Sequence, residues 1–330
     1  MAQQTAELNA AVTQYIRDTF DDALTRATPL WNHLSSKEGK KKQVGGIYLQ
    51  FPIKLIKNAS SGFISGTNAV VSADPSIQLQ YGILNWKYHN FNTNFTLQDY
   101  NVAMGSSEAA LDFFKGKSDG AIADAMREFA AASWGSSATN PLAFEGLTDI
   151  CAASGTYYAG LTDTDYADAT AYLPYISTDA IVNYSAINKM IDGVRVRMQQ
   201  ASTMNKKVIG LMGQPIYSKY KSAVQNQQIF MNESDVVKTG FTGFQVGDVT
   251  FYMDADALGT GTVGSTDNWC VIIPTDVMKL YYNFGFESKS PFDTDVQIPL
   301  QPIKSVQKYF SGNIVCTNRR LIAVNKSFTA

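Results

Sequence analysis

The fold is decided by two segments, IYLQFPIKL at residues 47–55 and LNWKYHNF at residues 84–91. In the first segment apolar residues occupy every second position, which predicts a strand with one buried face. These positions are Ile47, Leu49, Phe51, Ile53 and Leu55. Pro52 has no amide N–H to donate to a neighbouring strand, so we expect an edge or free-standing strand.

The chain returns through a second alternating run that leads into residues 84–91. Its apolar positions are Ile77, Leu79, Tyr81 and Ile83, followed by Leu84, Trp86 and Tyr88. The change of apolar register after Ile83 predicts a β-bulge. Residues 47–97 therefore read as one long two-stranded hairpin, and a lone hairpin is only marginally stable in water. It must lie either on the body of its own chain or on a neighbouring subunit.

Helix and strand patterns are mixed along the rest of the chain, which predicts an α+β fold. A helix of about 15 residues is expected to begin at Ser118 and end before Gly135, with a separate helical piece at 108–114 beyond Gly116 and Gly120. Further helices are predicted at 6–26, at 143–151, at 178–200 with Asp179 at the start, and from Pro215. Strands are predicted at 207–212, 269–273, 303–310 and 314–324. A hairpin with a type II′ turn at Gly247 and Asp248 is predicted at 244–253.

Composition excludes several classes of protein. Charged residues make up 17% of the 330 residues, and the formal net charge is −2. This charge excludes a strongly basic nucleic-acid-binding protein, and the 12% of aromatic residues argue against a disordered chain. The sequence has no apolar run long enough for a membrane span, and its first residues predict no secretory signal. Weak self-repulsion and a neutral polar surface do not oppose association with other subunits, and the same composition also fits a protein that is simply poor in charge.

The residues that usually carry catalysis are few and scattered. Two histidines, His33 and His89, lie outside any metal-ligand spacing, and three cysteines spread among apolar residues indicate buried thiols in a reducing compartment. We interpret the remaining motifs as structural: a surface loop at Gly259, Gly261 and Gly264, an acidic loop at Asp163, Asp165 and Asp168, a solvated carboxylate pair at Asp254 and Asp256, and a solvated connector at Lys37, Lys40, Lys41 and Lys42. The sequence predicts no catalytic, cofactor or metal site, and hence no enzyme.

The order of these elements resembles that of the major capsid (coat) proteins of tailed bacteriophages, which have the Hong Kong 97-type fold. The resemblance covers nearly the whole chain. It rests on the segments ATPLWNHLSSKEGKKKQ, IYLQFPIKL, LNWKYHNF, SDGAIADAMREFAAASW, FEGLTDIC, GFTGFQVGDVTFYMDADA and SGNIVCTNRRLIAVNKSF. It implies an N-terminal arm at 1–46, an extended hairpin loop at 47–97, a peripheral domain with a spine helix at 98–140 and 285–311, and an axial domain at 141–284 and 312–330.

The resemblance also implies a function. Subunits of such a protein assemble into the pentamers and hexamers of an icosahedral phage head around double-stranded DNA, which is contacted without sequence specificity. The hairpin would lie across an adjacent subunit. The contact residues expected there are Phe51, Ile53, Phe63, Ile64, Trp86 and Tyr88. A separate scaffolding protein, a portal and a decoration protein are expected partners, without a membrane, and the particle would assemble in the host bacterial cytoplasm.

Some members of the family join subunits by Lys–Asn isopeptide bonds. Lys54 and Lys57 lie in the hairpin, but the sequence offers no matching asparagine with an activating carboxylate, so we predict no crosslink. Two other functions stay open. An encapsulin-like nanocompartment shell would share the fold but enclose enzyme cargo, and a cytoplasmic α+β enzyme would require a binding pocket.

Overall fold

The computed structural model describes residues 28–54, 79–96, 107–152, 158–162, 172–201, 206–226, 243–257, 268–285, 294–297 and 303–328. Several predicted features lie outside these ranges. They are the helix at 6–26, the hairpin tip with Phe63 and Ile64, the acidic loop at 163–168 and the glycine loop at 259–264.

The hairpin that the alternation predicts is present as a separate two-stranded sheet. Its strands are β2, Tyr48–Lys54, and β3, Leu79–Asn85, and they pair antiparallel. Pro52 lies opposite Tyr81 in this sheet. Within the described ranges β2 pairs with β3 alone, so Pro52 lies in an edge strand, where a residue without an N–H is tolerated.

The hairpin ends sooner than the sequence predicts. Residues 87–96, assigned to it above, form strand β4, Lys87–Thr96, which pairs antiparallel with β12, Ile303–Cys316. The chain breaks from strand geometry at Trp86, where the change of apolar register predicted an irregularity. The alternation identified a strand correctly, but its partner is more than 200 residues away, and local pattern carries no information about it.

Strand β4 belongs to a five-stranded sheet. The other members are β1, Lys40–Lys42, β10, Met278–Phe284, β11, Thr294–Gln297, and β12, in the order β1-β10-β12-β11 with β4 also on β12. Helix α1, Pro29–Ser35, lies on this sheet and carries Trp31 into an aromatic cluster. In that cluster Trp31 stacks on Phe129 at 5.3 Å and on Phe144 at 6.0 Å between ring centroids.

The long helix α2 spans Ser107–Trp134 and contacts both α1 and β4. The sequence predicted two pieces separated by glycines, but the helix runs unbroken through Gly116 and Gly120. A Cβ added at either glycine would meet no atom within 4 Å. Both glycines face solvent on the surface of a long helix. Their low helix propensity does not interrupt the helix, which continues on both sides of them. A four-residue helix α3, Leu147–Ile150, follows where a longer one was predicted at 143–151.

The second sheet has six strands in the order β5-β13-β9-β6-β8-β7. They are β5, Tyr175–Ser177, β6, Val208–Met212, β7, Gly243–Val246, β8, Val249–Met253, β9, Cys270–Pro274, and β13, Ala323–Asn325. The turn between β7 and β8 has Gly247 at φ 61°, as a type II′ turn requires. A 3₁₀ turn, Arg319–Leu321, divides the predicted strand at 314–324.

Two helices accompany the six-stranded sheet. Helix α4, Tyr184–Gln200, packs on β5 and β13, and helix α5, Gln214–Asn226, places Tyr217 and Tyr220 against Phe244 of β7. Asp179 was expected to open α4, but the cap is Asn183, whose side chain accepts a hydrogen bond from Ala186 N at 2.8 Å. Asp179 lies farther upstream and pairs with Lys189.

The domain boundaries stay a prediction. Strand β10, at the end of the predicted axial segment 141–284, pairs mainly with residues 312–316 of β12, which belong to the other predicted axial segment. Strand β12 continues past residue 311, the predicted limit of the peripheral segment, as far as Cys316. Strands β9 and β10 belong to different sheets although only three residues separate them. No Pro- or Gly-rich linker marks the passage from one sheet to the other.

Candidate assembly surface

The two faces of the β2–β3 hairpin differ in exposure. Leu49, Phe51, Ile53 and Leu84 form its buried face, each less than 9% exposed. Phe51 lies across from Gly82, and a Cβ at that glycine would stand 2.6 Å from the tip of the Phe51 ring. The glycine therefore makes room for an aromatic side chain, and this face belongs to the core of the subunit itself.

The opposite face of the hairpin leaves apolar side chains in solvent. Tyr48 is 47%, Tyr81 58% and Ile83 44% exposed, and Ile47 and Val44 just before β2 are 81% and 80% exposed. The register brings Tyr81 opposite Pro52, and Ile83 opposite Gln50. We call Val44, Ile47, Tyr48, Pro52, Tyr81 and Ile83 the outer hairpin face. Several exposed apolar side chains on one face of this kind usually mark a contact with another molecule.

Three hydrogen bonds hold the base of the hairpin, two of them to the rest of the subunit and one between the segments that enter and leave it. Ile83 N donates to Ala159 O at 2.8 Å, and the Trp86 indole Nε1 donates to Gly46 O at 2.9 Å. Asn313 Nδ2, from β12, donates to Asn85 O at 2.8 Å. The outer hairpin face is therefore held in one orientation relative to the five-stranded sheet.

A partly buried polar cluster supports this attachment. Asn313 Nδ2 also donates to Glu145 Oε2 at 3.0 Å, and the side-chain oxygen Oδ1 of Asn313 accepts from Glu145 N at 3.2 Å. Lys87 Nζ lies 3.7 Å from Glu145 Oε1 and donates to Pro141 O at 2.6 Å. Burial raises the pKa of Glu145, while Lys87 and the Asn313 hydrogen bond oppose that rise. The cluster joins the start of β4, the end of β12 and the segment after α2.

The predicted contact residues fall into three groups. Phe51, Ile53 and Trp86 are buried within the subunit. Tyr88 is 69% exposed, and Phe63 and Ile64 lie outside the described residues. The Tyr88 side chain lines two hollows of about 410 and 570 Å³, the larger one between β4, the end of α2 and the loop with Leu142. Two open hollows therefore flank this exposed ring.

Sequence reasoning missed the outer hairpin face because it followed the regular apolar face of 47–55. The signal was nevertheless present. Tyr48 and Pro52 occupy the alternate positions of β2, and Tyr81 and Ile83 were assigned to the apolar side of β3. Since Leu49 pairs with Leu84, the register places Tyr81 and Ile83 on the side away from the core.

The predicted solvated carboxylate pair is the clearest error at residue level. Asp254 is 1% exposed, and burial raises its pKa to about 6, while Asp256 is half-buried. The carboxylate follows β8, and a strand end was taken as a solvent-facing position. Instead α1 covers it, and Leu30 N of that helix donates to Asp254 Oδ2 at 3.1 Å.

The described part of the chain shows little chemistry beyond packing. Cys151, Cys270 and Cys316 are buried free thiols whose pKa is raised by burial. Among the described residues no three histidines, cysteines or carboxylates converge on a common metal position, and no helix has the length and apolar character to cross a membrane. The lysine connector forms edge strand β1, where Lys41 Nζ lies 5.1 Å from the centre of the Tyr281 ring.

The fold is shared with solved phage capsids. The capsid asymmetric unit of cyanophage A-1(L) superimposes with a TM-score of 0.59 at 14% identity, covering 88% of this chain and 90% of that chain. The capsid of the empty GTA particle gives 0.54 at 14% identity with 90% of each chain covered, and that of the native GTA particle gives 0.52 at 12%, covering 90% of this chain and 91% of the other. The chain thus has the Hong Kong 97-type α+β fold of tailed-phage major capsid proteins, as the resemblance implied.

Comparison of sequences alone finds no such relative. No protein-family model matches the chain, and no curated protein sequence matches it.

Proposed function

We propose that this chain is the major capsid protein of a tailed bacteriophage, forming the pentamers and hexamers of an icosahedral head. The observation that carries the proposal is the outer hairpin face, an exposed apolar surface on a fold shared with phage capsids. A monomer gains nothing from Tyr48, Tyr81 and Ile83 in solvent, whereas a shell subunit buries such side chains against its neighbour.

The proposed contact is heterologous, with the outer hairpin face of one subunit lying on a different surface of the next. Repetition of such a contact around an axis closes a ring, which is the geometry of a pentamer or hexamer. Burial of a large apolar side chain contributes about 1.5–3 kcal/mol when complete, and half-exposed residues such as Tyr48 and Ile83 would add roughly half of that each. Tyr88 remains a proposed contact, and Phe51, Ile53 and Trp86 would act indirectly by holding the hairpin in place.

The same proposal assigns roles to the two sheets and to partners. The five-stranded sheet with α1 and α2 would be the peripheral domain, with α2 as the spine helix, and the six-stranded sheet would be the axial domain around the symmetry axes. Residues 1–46 would act as an N-terminal arm whose described part, α1 and β1, packs into the peripheral domain. Packaged double-stranded DNA, a scaffolding protein, a portal and a decoration protein are the proposed partners, with assembly in the host cytoplasm and the virion as the final location.

Electron microscopy of the purified protein tests the proposal, with negative staining in the presence and absence of the co-expressed scaffold. We expect closed shells of uniform size. Only small globular particles under all conditions would overturn the capsid function. Shells that contain a protein cargo instead of DNA after isolation from the native host would identify a nanocompartment shell.

A further inference from the structure

Lysines from three stretches of the chain lie together beside strand β1. The stretches are 37–42, which contains β1, 206–207, which precedes β6, and 275–279, which runs from the end of β9 into β10. In the sequence only the first of them stands out as a run of basic residues. The fold brings the other two to it, and we call the combined set the lysine patch. Its members are Lys37, Lys40, Lys41, Lys42, Lys206, Lys207 and Lys279.

Main-chain hydrogen bonds join the three stretches. Thr275 N donates to Lys207 O at 2.9 Å, which connects the second stretch to the third. Leu280 N, directly after Lys279, donates to Gly39 O at 2.8 Å, and β1 then pairs parallel with β10. Because the backbone makes these connections, the lysines remain neighbours whatever rotamers their long side chains adopt.

The lysine patch concentrates positive charge on a subunit whose total charge is nearly balanced. Five of its lysines are exposed, and Lys40 and Lys279 are half-buried. The same three stretches contain two carboxylates, Glu38 and Asp276, and the second of these lies 3.2 Å from Lys206 Nζ. Seven of the 27 basic residues are thus gathered here, although the formal net charge of the chain is −2. The potential at this surface is therefore positive, and it would attract a polyanion.

The composition of the lysine patch fits phosphate better than the surface of a protein. An ammonium group is a point charge that can contact a phosphate oxygen in many orientations, so several lysines can follow a DNA backbone without reading its sequence. Protein–protein interfaces are depleted in lysine, whose charge is costly to desolvate and whose side chain loses much freedom on burial. The patch, rather than the slightly acidic chain as a whole, would hold the nucleic acid.

We propose that the lysine patch is the surface through which the subunit contacts the phosphate backbone of packaged double-stranded DNA. The inference rests on the capsid function proposed above, in which one side of every subunit faces the genome. It places the β1 edge of the five-stranded sheet and the turn between β9 and β10 on that inner side. A single subunit would bind DNA weakly, and the many copies in a shell would hold it together through their combined contacts.

The salt dependence of DNA binding tests the proposal. Unassembled full-length subunits are titrated into a fluorescently labelled duplex of about 30 base pairs, and anisotropy gives Kd at several sodium chloride concentrations. Five exposed lysines that each meet one phosphate would make the logarithm of the association constant fall with the logarithm of salt concentration at a slope of about −4 to −5.

Two double variants remove charge from different stretches of the patch. Lys41→Gln with Lys42→Gln should make the slope shallower by about 2 and weaken binding at least about fivefold at about 0.05 M sodium chloride. Lys206→Gln with Lys207→Gln should have the same effect, because the second stretch belongs to the same surface.

Two further double variants serve as controls. Arg127→Gln with Lys189→Gln removes two exposed charges from helices α2 and α4, outside the patch, and should leave Kd and the slope unchanged. Lys41→Arg with Lys42→Arg keeps the charge and should also bind like the wild type. It separates loss of charge from loss of the Lys41 contact with the Tyr281 ring.

Wild-type affinity and slope in both glutamine variants of the patch would overturn the proposal, as would equal losses in the control outside the patch. Wild-type subunits that do not bind the duplex at low salt would also overturn it. Variants that bind DNA normally but no longer form shells would show that these lysines meet a protein instead.

Electron microscopy of the same preparations, with scaffold added, keeps this inference apart from the proposed function. Shells together with unchanged DNA binding in the patch variants would refute the DNA contact alone. Wild-type subunits that never form shells would refute the capsid function, whatever the lysine patch binds.

Discussion

Arg319 is a charged side chain that the subunit encloses almost completely, at 1% exposure. Its guanidinium donates from Nε to Ile150 O at 2.6 Å and from Nη2 to Ala152 O at 3.0 Å. The rings of Tyr158 and Tyr172 lie on it at 5.5 and 5.0 Å, so a planar cation is held between aromatic faces and carbonyl oxygens. These contacts join the 3₁₀ turn after β12 to the end of α3.

Arg319→Lys should therefore lower the free energy of unfolding by about 2 kcal/mol, because lysine cannot reproduce the two directed hydrogen bonds or the stacked plane. Urea denaturation followed by tryptophan fluorescence measures the change. Arg127→Lys is the control, since the Arg127 side chain is 83% exposed and its replacement should leave stability unchanged. Equal stability of the two variants would show that the Arg319 contacts contribute little.

The sequence predicted the burial of the cysteines correctly and the burial of a carboxylate wrongly. The three cysteines were expected to be buried, and the structure confirms it. The expected solvated pair at Asp254 and Asp256 was wrong because α1, which covers Asp254, lies more than 200 residues earlier in the chain. A carboxylate after a strand looks the same in sequence whether solvent or a helix end faces it, so only tertiary structure separates the two.

At the scale of elements, replacing an exposed glycine of α2 is expected to stabilise the subunit, whereas most substitutions in the core destabilise it. Gly120→Ala should raise the free energy of unfolding by about 0.5–1 kcal/mol, because alanine has the better helix propensity and the added Cβ meets no atom within 4 Å. Gly210→Ala in β6 is the contrast, since its Cβ would collide with the Phe251 ring. Thermal denaturation compares the two, and a lower melting temperature for Gly120→Ala would mean that α2 needs the glycine.

The hairpin provides the element-scale test of assembly. Tyr81→Ser combined with Ile83→Ser should leave the subunit folded but reduce shell formation at least about tenfold, because two apolar side chains of the outer hairpin face are lost. Shell yield is measured by sucrose-gradient sedimentation and electron microscopy.

The matched control for that variant is Phe51→Ser, on the buried face of the same hairpin. It should destabilise the subunit itself by about 3 kcal/mol, seen as a lower denaturation midpoint. Normal shell yield from the outer-face variant would show that this face does not contact a neighbour.

Element type followed closely from local pattern, and element pairing did not. The alternation of 47–55 predicts β2 within one residue at each end, Tyr48–Lys54, and the periodicity of 178–200 contains α4. Strand β4 was recognised as a strand and given the wrong partner. Pairing with β12 depends on a contact across the whole chain, and the unbroken helix α2 depends on packing against α1 and β4.

For the whole molecule, the balance of charge and the exposed apolar surface both favour association of subunits. The chain has 27 basic and 29 acidic residues, so subunits approach one another with little electrostatic repulsion. The outer hairpin face is apolar and carries aromatic rings, and its burial would be favoured by release of water from apolar surface. The resemblance to capsid proteins was carried by the order of elements, and the shared fold confirms it without any detectable similarity at the level of whole-sequence comparison.

Assembly of this subunit should therefore respond weakly to salt and strongly to temperature. Raising sodium chloride from about 0.05 M to about 0.5 M shortens the distance over which exposed charges interact to a few ångströms. The shell yield should change less than about twofold, because the subunit carries little net charge. Cooling weakens the hydrophobic contribution to subunit contacts. Preformed shells that lack DNA should therefore release subunits when they are cooled to about 4 °C. Light scattering at several temperatures and salt concentrations measures both effects. Loss of shells at high salt with stability in the cold would mean that ion pairs, rather than the outer hairpin face, hold neighbouring subunits together.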